Sequence, residues 1–299
     1  MKIEESRIGF IGLGGMGERM AHRLIERGFH VNVFDRAQER MDPLVALGAT
    51  ATDSLRTLAA GSDVIISCVT NDSAVMDIYA GTNGVMGAAR RGTIVIDMST
   101  VLPATSRSLA ELGRERGIEV LDVPISGSTP AAEAGTVTLF GGGDREAFER
   151  CDPIFKALSR EHHYLGPNGA GNAMKLVVNT LLGVGMQEIA EATALGEQIG
   201  LDRYRVLEVL AKTAVIAPAH QGKLPRAARA DYSPQFPLKL MRKDFGLILD
   251  LAGEERVPMP ATMAASIANR SCEESNLDFS YVMEEMRRRA KGEAINPTW

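Results

Sequence analysis

Three groups of residues in this 299-residue chain have the types and spacings that chemistry requires. The first is Gly12-Leu13-Gly14-Gly15-Met16-Gly17, which follows the apolar run Arg7–Ile11 and opens a helical pattern. A G-x-G-x-x-G turn in that setting binds a dinucleotide. Gly12 permits the tight turn, Gly14 lets the backbone approach the pyrophosphate, and Gly17 lets helix pack closely on strand. The N–H groups at the start of the helix then face the phosphates. The next apolar run ends in Asp35, eighteen residues after Gly17, where a carboxylate accepts bonds from the ribose hydroxyls. Asp35 favours NAD because it repels a 2′-phosphate. Arg36 beside it, and Arg40 one helical turn on, either swing toward such a phosphate or are solvated charges, which keeps NADP open.

The second group is Asn172, Lys175 and Asn179, spaced i, i+3, i+7 and so on one face of a helical pattern running from Ala170 to Gly200. Most of that pattern is apolar on every side. Desolvation lowers the pKa of an amine there, and a lysine so placed carries the proton that an alcohol gives up when its hydride goes to a nicotinamide. The plain alternative is a lysine snorkelling to solvent from a helix end. The third group is Ser126-Gly127-Ser128, which follows a strand-like run and suits presentation of backbone N–H groups to an anion, or is an ordinary loop. Lys243, taken alone, is a solvated helical lysine. The five histidines have no acid or cysteine at ligand spacing, so no metal is expected.

The elements that must position these residues follow from hydrophobic periodicity. Strands are predicted at Arg7–Ile11, His30–Asp35, Val64–Val69, Thr93–Asp97, Glu119–Asp122, Thr136–Gly141 and His163–Leu165. Helices are predicted at Gly15–Arg27, Asp72–Ala80, Pro103–Arg116 and Asp144–Leu158. Continuously apolar runs such as Val64-Ile65-Ile66 belong to parallel strands covered on both faces. The fold class expected is α/β: a Rossmann-type doubly wound sheet over residues 1–167, followed by an all-helical part over 168–299 that begins with a long interdomain helix and serves substrate binding and dimerisation. Helical segments are expected near Asp202–Lys212, Pro237–Ala252, Pro260–Glu274 and Tyr281–Lys291, with no strand after residue 170.

A long helix apolar all round has to be buried all round, which points to a homodimer or homotetramer. A net charge of −5 gives no electrostatic reason to expect nucleic acid or an anionic membrane, and Arg287-Arg288-Arg289 is read as a solvated helix face. Three widely spaced cysteines do not make a disulfide framework. No apolar run approaches the ~20 residues of a membrane span. The acidic start Met1-Lys2-Ile3-Glu4-Glu5 does not read as a signal peptide, so a cytoplasmic setting is expected.

Four motifs in order give a resemblance. They are Gly12–Gly17; Asp122-Val123-Pro124-Ile125-Ser126-Gly127 continuing to Gly135-Thr136; Gly171-Asn172-Ala173-Met174-Lys175 with Asn179; and Leu240-Met241-Arg242-Lys243-Asp244. With them the chain resembles, over essentially its whole length, the β-hydroxyacid dehydrogenase family, which includes 3-hydroxyisobutyrate dehydrogenase, tartronate semialdehyde reductase and the larger 6-phosphogluconate dehydrogenase. The resemblance implies that Ser126 and Gly127, with Ser128, bind the substrate carboxylate. It makes Lys175 the catalytic acid/base with Asn179 beside it as a substrate-binding residue, and sets Lys243 near the cofactor, closing the cleft. Val69, Thr70 and Thr100 match positions along the nicotinamide side. Ser128 and Ala131 stand where the family has glycines, and Val69-Thr70 where it has Leu-Pro; these departures leave the substrate open.

The reaction implied is NAD(P)-dependent interconversion of a short 3-hydroxy acid and its semialdehyde. The alternatives are an NADPH-dependent reductase of semialdehydes, glyoxylate or imines, and a non-catalytic dinucleotide sensor. Related imine reductases generally replace the lysine, so Lys175 argues for alcohol chemistry.

Overall fold

The computed structural model describes residues 3–293; Met1 and Lys2 of the acidic start, and the last six residues of the expected helical part, lie outside the described residues. Among the described residues nine strands form one sheet: β1 (Arg7–Ile11), β2 (His30–Phe34), β3 (Thr50–Ala51), β4 (Val64–Ser67), β5 (Ile94–Asp97), β6 (Glu119–Asp122), β7 (Ile125–Ser126), β8 (Val137–Gly142) and β9 (Ser159–Gly166). Their order is β3-β2-β1-β4-β5-β6-β8-β7, with β9 also paired to β8. Helices α1 (Gly17–Glu26), α2 (Asp42–Ala46), α3 (Leu55–Gly61), α4 (Asp72–Ala80), α5 (Pro103–Arg116), α6 (Thr129–Ala134), α7 (Arg145–Arg150) and α8 (Asp152–Leu158) join them.

From β3 to β6 every pairing is parallel. Consecutive residues of these strands point to opposite faces, and both faces are covered. Ile8, Phe10, Val64, Ile66, Ile94, Ile96 and Leu121 share a core with Leu24 of α1 and Phe155 of α8. Ile11, Ile65, Val95 and Val120 share another with Leu58 of α3, Tyr79 of α4 and Leu109 of α5. That is the doubly wound construction, and it explains why the strands read as unbroken apolar runs.

The expected run of parallel strands needs one correction. β8 is antiparallel to both β6 and β7, and β9 is parallel to β8. Hydrophobic periodicity carries no strand direction. The helix predicted over 144–158 is two helices, because Pro153 has no N–H to bond the Glu149 carbonyl, and α8 starts afresh at Asp152-Pro153. The helix expected from Gly15 begins at Gly17.

The chain divides into two compact units, residues up to Lys175 and residues from Leu176 on. Helix α9 (Ala170–Gln198) runs through that division. The second unit adds α10 (Arg203–Leu210), α11 (Pro218–Gln221), α12 (Leu224–Ala228), α13 (Leu238–Glu254), α14 (Pro260–Ser271) and α15 (Val282–Ala290). Among the described residues after 170, β structure is confined to the isolated bridge Pro237↔Asp278. Gly183 of α9 lies against Phe245 and Met241 of α13, where a Cβ would have no room. Buried Lys223 and Asp278 pair at 2.7 Å, and Asp278 also accepts the Gln235 and Phe236 N–H groups, tying α12 to the segments around 235 and 278. The arginines of α15 are not simply solvated. Arg287 bonds Glu197 of α9 and Glu284, and Arg289 bonds Glu285. No helix of the described residues is long and apolar enough to cross a membrane.

Candidate active site

Within the first unit, the predicted dinucleotide residues lie at the C-terminal ends of the parallel strands, beside the point where strand order reverses between β1 and β4, while Lys243 belongs to α13 of the second unit. Gly12, directly after β1, has φ of 89° and donates its N–H to Phe34 at 3.0 Å; a side chain here would also strike the Cys68 carbonyl. A Cβ on Gly17 would collide with the Gly12 carbonyl oxygen, so the helix can start this close to the strand only at glycine. Gly14 differs: its Cβ would meet nothing within 4 Å. The loop is therefore packed tightly at its two ends and open in the middle, where a pyrophosphate has to enter. No side chain caps the first turn of α1, and Met16 is packed into the core below it. These residues fit a dinucleotide.

Asp35 follows β2 and holds the loop from the side. Its Oδ2 accepts the Leu13 N–H at 2.7 Å, its Oδ1 accepts the Ala37 N–H at 2.9 Å, and Arg40 stands 3.7 Å away. Arg36 is exposed.

Val69 and Thr70 follow β4, and Thr100 follows β5. A buried polar network that the sequence reading missed sets their places. The Tyr79 hydroxyl donates to Ser67 Oγ at 2.8 Å, Ser67 donates to Asp97 at 2.6 Å, and Ser99 donates to Asp97 at 2.7 Å while accepting the Val69 N–H at 3.0 Å. Burial raises the Asp97 carboxyl above the usual range against the pull of the two hydroxyls. An acid ending an apolar run, as Asp97 does, was the signal available.

Ser126 ends β7, opposite Thr138 of β8, and the exposed Gly127 and half-buried Ser128 lead into α6. This turn abuts the glycine loop: Thr129 Cγ2 lies 3.7 Å from where a Gly15 Cβ would stand.

Lys175 sits in the second turn of α9 at 8% exposure, between the fully buried Asn172 and Asn179 on the same stripe. Lysine is almost never buried so far without a partner group, which disfavours snorkelling. The Asn179 amide donates to Asp244 Oδ2 at 2.6 Å, and its own oxygen, buried, has no partner. Lys243 pairs with Asp244 Oδ1 at 3.0 Å. Asp244 thus orients Asn179 through Oδ2 and sets a negative charge beside Lys243, and the sequence reading quoted it within a motif without giving it a role.

Asp122, at the end of β6, was likewise quoted without a role. It is buried, accepts the Gly169 and Asn172 N–H groups, and has its carboxyl pushed up to about 6 by burial. Among the described residues no cluster of three or more metal-ligating side chains occurs, and all three cysteines are free thiols.

Comparisons with known proteins bear on this arrangement. Residues 7–166 match the NAD binding domain of 6-phosphogluconate dehydrogenase, and residues 169–284 match the NAD-binding domain of NADP-dependent 3-hydroxyisobutyrate dehydrogenase. An NAD-dependent L-serine dehydrogenase of Pseudomonas aeruginosa is 40% identical over 82% of this chain and 85% of its own length. Glyoxylate/succinic semialdehyde reductase 1 of Arabidopsis thaliana is 35% identical over 94% of this chain and 98% of its own. A 3-hydroxyisobutyrate dehydrogenase of Mycobacterium tuberculosis, solved with L-serine, superposes with a TM-score of 0.86 at 29% identity, covering 95% of this chain and 99% of that one.

Proposed function

The chain belongs to the β-hydroxyacid dehydrogenase family and is an NAD(P)-dependent oxidoreductase acting on CH–OH groups, and from that premise we propose that it interconverts a short 3-hydroxy acid and its semialdehyde with Lys175 as the acid/base. The observation that carries this reading is the nearly complete burial of Lys175 on a polar stripe of an otherwise apolar helix. Bound nicotinamide supplies the two-electron chemistry, taking a hydride from the carbinol carbon or returning it. In oxidation the Lys175 Nζ takes the hydroxyl proton as the C–H bond is lost; in reduction it returns that proton to the carbonyl oxygen. The Ser126–Ser128 turn holds the substrate carboxylate, so the reacting carbon is placed by the far end of the molecule. Asn179, held by Asp244, steadies the face on which Lys175 stands. Lys243 serves the cofactor side.

NAD is the cofactor we assign, on Asp35. The similarity to a glyoxylate/succinic semialdehyde reductase supports a second reading, in which the physiological direction is NADPH-dependent reduction of a semialdehyde or glyoxylate. The exposed apolar residues of α9 support a homodimer or homotetramer. Three free thiols go with a reducing, cytoplasmic setting.

The test is Lys175→Ala, assayed over C3–C6 hydroxy acids and semialdehydes with both cofactors. It lowers kcat by on the order of 10²–10⁴ and leaves NADH binding intact. Turnover near that of the parent protein sinks the assignment. A protein that binds cofactor yet turns over none of the panel is a sensor instead.

A further inference from the structure

The start of α9 is tied to the sheet by hydrogen bonds that the proton-transfer reading does not use. Asp122 Oδ1 accepts the Gly169 N–H at 2.7 Å and Oδ2 the Asn172 N–H at 3.0 Å. Asn168 donates to the Val120 carbonyl at 2.7 Å. The Asn172 side chain, wholly buried, reaches in another direction. Its Oδ1 accepts the Val101 N–H at 3.1 Å, and its Nδ2 donates to Ser106 Oγ of α5 at 3.0 Å. The segment it holds is itself anchored, since Asp72 accepts both the Leu102 N–H and the Thr105 hydroxyl. One amide therefore joins the residue after Thr100, the helix α5, and the turn of α9 that precedes Lys175. Lys175 follows three residues later on the same face, about 4.5 Å along the helix axis.

A buried amide is a poor choice if filling space is the whole task, because a fitted apolar side chain does that without the desolvation cost. What an amide with both ends bonded adds is register between elements. We infer that Asn172 is a positioning residue for proton transfer: it locks the Lys175 turn of α9 to the Thr100–Val101 segment on the nicotinamide side, so that the amine and the hydride-exchanging ring keep one separation. This inference rests on the Lys175 reading. Displacement of a reacting group by about 1 Å costs on the order of 10²-fold in rate, which is how a residue touching neither substrate nor cofactor matters to turnover.

The experiment is a double-mutant cycle in the full chain, with Asn172→Ala, Lys175→Ala and the pair. The best hydroxy acid of the panel is the substrate, and NADH affinity and melting temperature are measured alongside. Asn172→Ala is expected to lower kcat about 10- to 100-fold with NADH Kd within about threefold, and to cost no more than about twofold further when Lys175 is already alanine. Ser106→Ala, a smaller lesion, follows the same pattern with a smaller factor, and serves if Asn172→Ala does not fold. A loss of equal size with and without Lys175 overturns the inference, as does a kcat within about twofold of the parent. A loss that tracks unfolding or NADH Kd also overturns it. If Lys175→Ala itself turns over normally, the acid/base reading has failed; if it is dead while Asn172→Ala and Ser106→Ala are normal, the positioning role alone has failed.

Discussion

The Asp35 carboxylate accepts the Leu13 N–H inside the glycine loop. We propose that it also accepts from a ribose, so that loop shape and cofactor choice hang on one side chain. Arg40 at 3.7 Å leans on that carboxylate, which leaves the exposed Arg36 as the nearer candidate for a 2′-phosphate. A dianionic phosphate beside Asp35 is repelled, whereas ribose hydroxyls donate to it. Asp35→Ala is therefore expected to weaken NADH binding about tenfold, or ~1.4 kcal/mol, and to bring the NADPH and NADH dissociation constants closer together in a fluorescence titration. A variant that keeps the parent's NADH affinity and its NADH/NADPH ratio removes Asp35 from cofactor selection. The glycine loop and Asp35 were readable from sequence because each depends on local geometry that few residue types satisfy. Asp97, Asp122 and Asp244 were not, because their importance lies in partners 30 to 65 residues away that no local pattern names.

At the scale of elements, the parallel strands β1, β2, β4, β5 and β6 and the helices α4 and α5 stood in the sequence, the two helices with their observed bounds. Burial on both faces makes such strands apolar throughout, and Asn71 before α4 and Pro103 opening α5 mark helix starts. β3 and β7, two residues each, were missed because so short a run has no period, and the reversal of β8 was missed because direction leaves no imprint on composition. The junction of β6 with α9 makes a prediction of its own. Burial raises the Asp122 carboxyl to about 6 from its ordinary 3.8, so the fold favours the protonated acid. The stability it contributes is complete below about pH 4 and is lost as pH rises through about 6, a change of about 3 kcal/mol. The unfolding free energy of the parent should thus fall, relative to Asp122→Asn, by about that amount between pH 4 and pH 7, measured by denaturant titration at each pH. Asp97, also raised, gives both proteins a slope of the same sign and cancels in the difference. Parallel curves for the two proteins refute the shift at Asp122.

At the scale of the whole molecule, α9 leaves its apolar character partly uncovered. Leu181, Leu195 and, one residue past its end, Ile199 are 73%, 64% and 70% exposed, and Val177 and Met174 extend the row at spacings of three and four residues. Glu188 and Glu191, also exposed, interrupt it, so it is two apolar patches on one helix rather than a continuous seam. Single exposed leucines are common on soluble proteins, but large aliphatic side chains gathered along one helix mark a surface that binds something. A second copy of the chain is the partner we propose, because the same helix supplies the same patches on both sides of a two-fold axis, and a self-complementary surface closes on itself. Sedimentation of the parent protein at micromolar concentration should then show a dimer or tetramer. Leu195→Glu combined with Ile199→Glu, which places two carboxylates on each side of the contact, should shift it to monomer while the isolated chain keeps its helical content. A parent protein that sediments as a monomer across the concentration range leaves these side chains to a different partner and removes the oligomer from the account of α9.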